Sequence, residues 1–261
     1  LATANLTSDD VATADLSVLT NGAEAATPTN IVYRVTLSKT NNTGANITVN
    51  LADSTATAPA GTATSASDYT AFGGANTVTI VNGAATGDFT VTVIDDALLE
   101  NTETVKAKIN TPSHAQVTVG TGLATANITE SGATASLSVF QQGSEAVAPV
   151  HIIYRVTLSK TNATGGNVTV NLADSTAVSS GTATAGSDYT AFGGANTVTI
   201  ANSASTGDFT VTVLDDALLE NTETVMAKIN TPIHASVTLG TALASANLTS
   251  DDVATADLSV L

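Results

Sequence analysis

The feature that most constrains this chain is its repetition. Leu1 to Leu19 returns as Leu243 to Leu261 with a single exchange, Thr3 for Ser245, and Leu123 to Phe140 is a looser third copy that is one residue shorter. The longer matches confirm the period: Ser67 to Ile80 recurs unchanged as Ser187 to Ile200, and Glu100 to Val105 recurs as Glu220 to Val225. Identity that runs through turns as well as apolar stretches marks recent duplication, and a period near 120 residues is the size of an ordinary single domain with its own core. The expected layout is the last strand of a preceding repeat at 1–10, one repeat at 11–130, a second at 131–252, and the first strand of a following repeat at 253–261, a window on a longer tandem protein.

Each repeat reads as β structure. Ile31, Tyr33, Val35 and Leu37 alternate with Val32, Arg34 and Thr36, the period of two that puts alternate side chains on one face. Further expected strands are Asp15–Leu19, Ile47–Leu51, Val78–Val81, Phe89–Ile94, Thr104–Ile109 and the closing run from Gln116 to Thr129. Breaks fall at Gly22-Ala23-Glu24, at Asn41-Asn42-Thr43-Gly44, at Asn82-Gly83 and at Pro112, where Gly and Asn tolerate positive φ and Pro ends a ladder. Residues 52–66 form a long connection delivering Asp68 and Tyr69. Seven or eight short strands with turns at this spacing predict an all-β fold, a β-sandwich in each repeat.

Charge is concentrated where these strands stop. Val93-Ile-Asp-Asp-Ala-Leu-Leu-Glu100 returns as Val213-Leu-Asp-Asp-Ala-Leu-Leu-Glu220, so an aspartate pair and a glutamate follow the alternating run Phe89, Val91, Val93. Carboxylates gathered this closely repel one another unless a cation, a basic side chain or solvent compensates. The basic residues nearest in sequence, Lys106 and Lys108, lie in the next strand, and Met226 replaces Lys106 in the second copy while all three acids remain. A hard divalent cation is therefore the expected compensator.

The remaining composition excludes several classes. With 23 Asp and Glu against 7 Lys and Arg, the net charge of −16 repels nucleic acid and anionic membranes. No apolar run approaches the roughly 20 residues of a membrane-spanning helix, so membrane insertion of this segment is not expected. Cysteine is absent, which is compatible with an exterior location. No Gly-x-Ser-x-Gly, His-Glu-x-x-His or P-loop is present, and His114, His151 and His234 read as loop or surface residues, so the chain is not expected to be an enzyme. Phe72 to Asn76 reads as a turn rather than a glycine-rich calcium nonapeptide. Asn41, Asn46 and Asn127 open formal glycosylation triplets of the kind a Thr-rich chain produces by chance.

The pattern Gly61-Thr-Ala-Thr64, then Ser67-Asp-Tyr-Thr70, then Asp88-Phe-Thr-Val-Thr-Val-Ile-Asp-Asp96, then Glu100-Asn-Thr-Glu-Thr-Val105 resembles the Calx-beta domain family across essentially the whole of each repeat. The resemblance implies an immunoglobulin-like β-sandwich that binds Ca2+ at one end, beside the junction to the next domain. It implicates Glu24, Asp68, Asp95, Asp96, Glu100 and Glu103 in the first repeat, and Glu145, Asp188, Asp215, Asp216, Glu220 and Glu223 in the second. The family's closing acidic run matches Asp251 and Asp252, and also Asp9 and Asp10 upstream. The first repeat departs from it: Glu130-Ser131-Gly132 keeps one carboxylate where the others have a pair, which predicts a weaker site. Ala97 and Ala217 stand where the family has a third Asp.

Tandem, near-identical domains of this kind resemble the repeat regions of large bacterial surface adhesins and biofilm matrix proteins, an analogy of organisation. The expectation is a stalk or fibre segment of an extracellular adhesin or matrix protein, rigidified by calcium at domain junctions. Its partners would be neighbouring repeats of the same chain; identical chains in a fibre or matrix, paired by strand addition at the end strands Leu1–Thr7 and Asp257–Leu261, are a further reading, set against the preferred one that these ends are cut without regard to domain boundaries. The competing readings are a glycan- or ice-binding module using outward threonines such as Thr90 and Thr92, and a calcium sensor of a transporter. Absence of Trp argues against sugar stacking, and many equal copies argue against a sensor.

Overall fold

The computed structural model describes residues 9–55, 61–72, 76–177, 180–193, 196–232 and 234–259 of the 261. Contacts divide the chain into two compact units, one running to Asp96 and resuming over Asn101–Ser131, the other made of Ala97–Glu100 and the chain from Gly132 onward. The four residues Ala97–Glu100 thus pack with the unit that follows them.

In chain order the strands are β1 (Ala12–Thr20), β2 (Gly22–Ala23), β3 (Ile31–Leu37), β4 (Ile47–Asp53), β5 (Thr77–Ile80), β6 (Thr86–Val91), β7 (Leu98–Leu99), β8 (Glu103–Pro112), β9 (Val117–Val119) and β10 (Leu123–Thr129). In the first unit they make a four-stranded sheet β6-β3-β1-β9 and a five-stranded sheet β2-β10-β8-β4-β5. Pairings are antiparallel except β1 with β9 and β10 with β2, where the chain returns in parallel. The two sheets form an immunoglobulin-like sandwich.

The second unit repeats this with β11 (Ala133–Gln141), β12 (Gly143–Ser144), β13 (Ile152–Leu158), β14 (Thr161–Asn162), β15 (Val168–Asp174), β16 (Thr197–Ile200), β17 (Thr206–Val211), β18 (Glu223–Pro232), β19 (Val237–Leu239) and β20 (Leu243–Thr249). Its sheets are β17-β13-β11-β19 and β12-β20-β18-β15-β16, and β14 carries β7 as a separate parallel pair.

Alternation accounts for the core. Ile31, Tyr33, Val35 and Leu37 of β3 are buried while Thr36 is exposed, and Val105, Ala107 and Ile109 of β8 face them from the other sheet. Tyr33 ties the two sheets together: its hydroxyl donates to the Val105 carbonyl at 2.8 Å, as Tyr154 does to Val225 at 2.6 Å. Burial pushes both phenols well above their ordinary pKa, so each remains a donor. Phe72 fills the space beside Tyr33, Tyr69 and Phe89 at centroid distances of 6.3, 6.5 and 5.3 Å. On the outer face Arg34 holds Asp88 through two hydrogen bonds of 2.7 and 2.8 Å, a cross-strand pair on a solvent-exposed surface.

Several sequence expectations are corrected. Gly22-Ala23 is a short strand, because Thr129 and its neighbours offer a free edge on which it adds in parallel. Pro112 does not break the chain before the strand ends; it is the last residue of β8 and pairs with Val49, a terminal position where a missing N–H removes little. The strand expected at Phe89–Ile94 begins at Thr86 and stops at Val91, and Val93 instead makes an isolated bridge to Tyr69. Leu98–Leu99, expected within a loop, is a strand.

Asp257–Ser259 are exposed and unpaired among the described residues, so no strand forms there; the matching Asp15–Ser17 are strand because β3 receives them. The strand expected at Leu1–Thr7, part of the 52–66 connection and Gly73–Ala75 of the expected turn lie outside the described residues.

Candidate metal centre

The acids of the second unit are delivered by four separate pieces of chain. Glu145 follows directly on β12, whose parallel addition to β20 is fixed by the amide of Glu145 donating to the Thr249 carbonyl at 2.8 Å. Gly143 makes this approach possible. A Cβ there would sit 2.7 Å from Ile152 Cγ1 and 2.9 Å from Leu248 Cδ1, so only a glycine lets β12 lie that close to the core. Gly22 does the same for Glu24.

Asp188 is set by a tight turn. Its amide donates to the Thr184 carbonyl at 3.0 Å, its carboxylate accepts from the Thr184 amide, and its own carbonyl accepts from Leu214 at 2.9 Å. Next to it, the Tyr189 hydroxyl donates to Asp174 at 2.8 Å, as Tyr69 does to Asp53 at 2.7 Å. Asp53 and Asp174 were not among the candidates from sequence. Their position at the ends of β4 and β15 signals only a strand end, and their role in anchoring the tyrosine appears once the fold brings them together.

The outcome is a cluster in which oxygens of Glu145, Asp188 and Glu220 all lie within 4.8 Å of one another. Glu145 and Asp188 are 2 % and 3 % exposed. Glu145 Oε2 is buried and has no hydrogen-bond partner among the described residues, and neither has Asp252 Oδ2. Burial pushes the Glu145 carboxyl up to about 7, with Glu220, Asp188, Asp216 and Asp252 adding to the effect. Glu223 is likewise pushed up to about 7, by burial, by a hydrogen bond to Asp188 and by the charges of Asp188 and Glu220. Burial and then Asp188, Asp216 and Asp252 raise Glu220, and burial and then Asp251, Asp252 and Asp216 raise Asp215. Of the eight acids picked out in the second repeat, the structure groups Glu145, Asp188 and Glu220 within 4.8 Å and hydrogen-bonds Glu223 to Asp188, while Asp216 and Asp252 act on Glu145 and Glu220 through their charge, as Asp251 does on Asp215.

The first unit repeats the design with one difference. Glu24 and Asp68 are buried as their counterparts are, Glu24 lies within 4.8 Å of Glu130, and Asp68 lies within 4.8 Å of Glu103. The Asp68 carboxylate accepts from the Thr64 amide, and the Ile94 amide donates to the Asp68 carbonyl at 2.9 Å. Ser131 Oγ bridges Glu130 at 3.1 Å and Asp95 at 3.4 Å, standing where the second unit has an aspartate pair. Asp96 precedes, and Glu100 ends, the segment that packs with the second unit.

The donor set suits a hard cation: carboxylate oxygens only, no nitrogen or sulfur, and at Glu145 an electrostatic environment in which the charges that raise its pKa all belong to other carboxylates. The histidines do other work. His151 Nδ1 accepts from the Val213 amide at 3.2 Å, the place taken in the first unit by Asn30 Oδ1, which accepts from Val93 at 3.1 Å; His114 and His234 accept from backbone amides two residues on.

Fold and site together define a tandem of immunoglobulin-like sandwiches, each with an acidic pole at the end from which the chain leaves. The family model for the Calx-beta domain matches residues 23–132 and again 135–253, and the chain belongs to that family. Among solved structures it is similar to CBD12 from CALX1.2, at 17 % identity and a TM-score of 0.37, covering 90 % of this chain and 99 % of that one. The D0-D1 domains of intimin match at 15 % identity and a TM-score of 0.28 over 92 % and 100 % of the two chains. The Yersinia pseudotuberculosis adhesin InvE matches at 16 % and 0.27 over 91 % and 58 %. No curated protein matches.

Proposed function

We propose that this chain is a calcium-stiffened stalk segment of a large extracellular adhesin or matrix protein on a bacterial surface, a structural repeat rather than an enzyme. The observation that carries the reading is the buried, all-carboxylate cluster of Glu145, Asp188 and Glu220 at the pole where Asp251 and Asp252 lead the chain out of the unit. Left bare, that cluster opposes folding, because burial and mutual repulsion both disfavour the ionised groups. A bound Ca2+ supplies the missing charge.

Glu145, Asp188 and Glu220 would hold it, with Asp216 and Asp252 as further ligands. The role of the ion is cohesion: it holds the acidic loop, the β12 edge and the chain exit together, which limits bending where one domain gives way to the next. Extracellular calcium modules bind at about 10⁻⁴ to 10⁻³ M, so occupancy follows external calcium. Near-identical copies in tandem and a charge of −16 suit a long solvated spacer. Small-angle scattering of the chain with calcium and with chelator tests this. The reading expects a narrower distribution of end-to-end lengths with calcium, and superimposable profiles would overturn it.

A further inference from the structure

Each unit carries one acid that is spent on a tyrosine rather than on the cluster. Asp174 ends β15, in the sheet β12-β20-β18-β15-β16, and both its oxygens are engaged: Oδ1 accepts from the Thr176 amide at 2.9 Å and Oδ2 from the Tyr189 hydroxyl at 2.8 Å. Thr176 is pinned in turn, its Oγ1 accepting from the Met226 amide of β18 at 2.9 Å. Tyr189 starts from the other sheet. Its backbone bridges Val213, just past β17, and the next amide, Thr190, donates to the Thr212 carbonyl at 2.8 Å. The tyrosine, 2 % exposed, therefore reaches from one sheet to the other and ends on Asp174. Burial, with Asp174 adding to it, pushes the phenol up to about 12, so it remains a donor.

Asp188 directly precedes this tyrosine and shares its backbone anchor, since the Leu214 amide donates to the Asp188 carbonyl at 2.9 Å. It enters the acidic pole from the side of β17, whereas Glu145 and Glu223 enter from β12 and β18 of the opposite sheet. The spacing of these carboxylates is thus a spacing between sheets, and the hydrogen bond from Tyr189 to Asp174 spans the sheets beside them.

The first unit shows that this tie is kept when the loop it closes changes length. Asp53 and Tyr69 are 16 residues apart and Asp174 and Tyr189 15, the extra residue falling between Thr55 and Gly61. The bonds are nonetheless the same: Tyr69 donates to Asp53 Oδ2 at 2.7 Å, Asp53 Oδ1 accepts from the Thr55 amide at 2.9 Å, Thr55 Oγ1 accepts from the Lys106 amide at 2.9 Å, and Tyr69 bridges Val93. Met226 replaces Lys106 without consequence because the tie uses only its backbone.

We propose that Asp174, and Asp53 in the first unit, are positioning residues for the cation: without touching it, they hold Asp188 and Asp68 at a fixed separation from the carboxylates of the opposite sheet, so that losing the tie loosens binding while the fold persists. The role presupposes the calcium site proposed above. It is mechanical rather than electrostatic, since the charges that raise Glu145, Asp215, Glu220 and Glu223 all belong to other acids of the pole.

Calcium titration calorimetry of the full chain, with melting in chelator alongside, tests this. Groups that orient a metal's ligands are worth about 10–100-fold in affinity, and one acting through the neighbouring residue should be worth about 5–10-fold. Tyr189→Phe, which changes no charge and keeps the ring, is expected to loosen the tighter binding step by that factor, leave the weaker step unchanged and still melt cooperatively in chelator. Asp174→Ala should do the same, and the double variant should be no weaker than Tyr189→Phe alone. Asp174→Asn, which retains an acceptor for the hydroxyl, should recover most of the affinity, and Tyr69→Phe should move only the weaker step. Wild-type affinity in Tyr189→Phe, with or without a lowered melting temperature, would make the tie structural only and overturn the proposal. Equal losses in Asp174→Ala and Asp174→Asn with none in Tyr189→Phe would assign the effect to charge and also overturn it. A wild type with neither calcium heat nor a calcium-dependent melt would overturn the calcium site itself and this role with it, a result distinct from any the variants can give.

Discussion

The acidic poles of the two units are built on one plan and finished differently. In the second, Ser250-Asp251-Asp252 adds charge to a cluster that already holds Glu145 and Asp188 in the interior, and the strain is visible as carboxyls driven toward neutrality. In the first, Glu130-Ser131-Gly132 supplies one carboxylate and a hydroxyl that bridges Glu130 to Asp95. Cation affinity in an oxygen site tracks the number of charged ligands, so the three-residue difference between the repeats is expected to weaken the first pole relative to the second while leaving the fold the same. Position within the sandwich is what both share; the charge count is what differs.

The sharpest way to break the comparison is to remove its common part. Asp188→Asn with Glu220→Gln deletes two of three clustered carboxylates, and titration calorimetry should show the tighter of the two binding steps lost by at least about 100-fold while the weaker survives, roughly 2.7 kcal/mol of coupling. Loss of both steps together would mean that the sites are not separable.

Gly143→Ala should be nearly as damaging by another route. The added methyl meets Ile152 and Leu248, so thermal unfolding should show a loss of about 1–3 kcal/mol, and calcium affinity should fall as β12 and Glu145 are pushed outward.

Acidity gives a smaller effect of defined sign. Glu145 and Glu223 have folded-state pKa values raised to about 7, above the ordinary 4.5, so the native state binds more protons than the unfolded chain between those values. Without metal, the stability cost of ionising them is fully present above pH 7 and is relieved as pH falls toward 4.5. Melting of calcium-free protein should therefore rise by a few degrees from pH 7.5 to 5.5. With calcium the trend should reverse, because protons and the cation compete for the same oxygens. The mildest change is Ser131→Asp, which restores a carboxylate to the first pole and should tighten its binding step several-fold in the same calorimetric titration.

Much of this was legible in the sequence. The alternation of Ile31, Tyr33, Val35 and Leu37 specified a strand and its buried face, and the repeat period specified two domains. Convergence of Glu145, Asp188 and Glu220, far apart in the chain, was implied by the family pattern alone. Other features were hidden because they depend on partners that no local pattern reveals. Leu98–Leu99 looks like loop and becomes strand only when Thr161–Asn162 meets it, and Gly22-Ala23 reads as a break until β10 offers an edge. Pro112 stops a ladder only where its missing N–H would be used, and at the end of β8 it is not. Asp53 and Asp174 acquire a role only through the hydroxyls of Tyr69 and Tyr189.

Thermal unfolding of the whole chain with calcium, with magnesium at equal concentration and with chelator bears most directly on the idea that buried acids at each pole await a hard divalent ion. A flexible cage of many carboxylates favours the larger ion, and at about a hundredfold above the dissociation constant one site adds roughly 2.7 kcal/mol. The account predicts a clear upward shift with calcium and none with magnesium. Equal melting temperatures in all three conditions would contradict it.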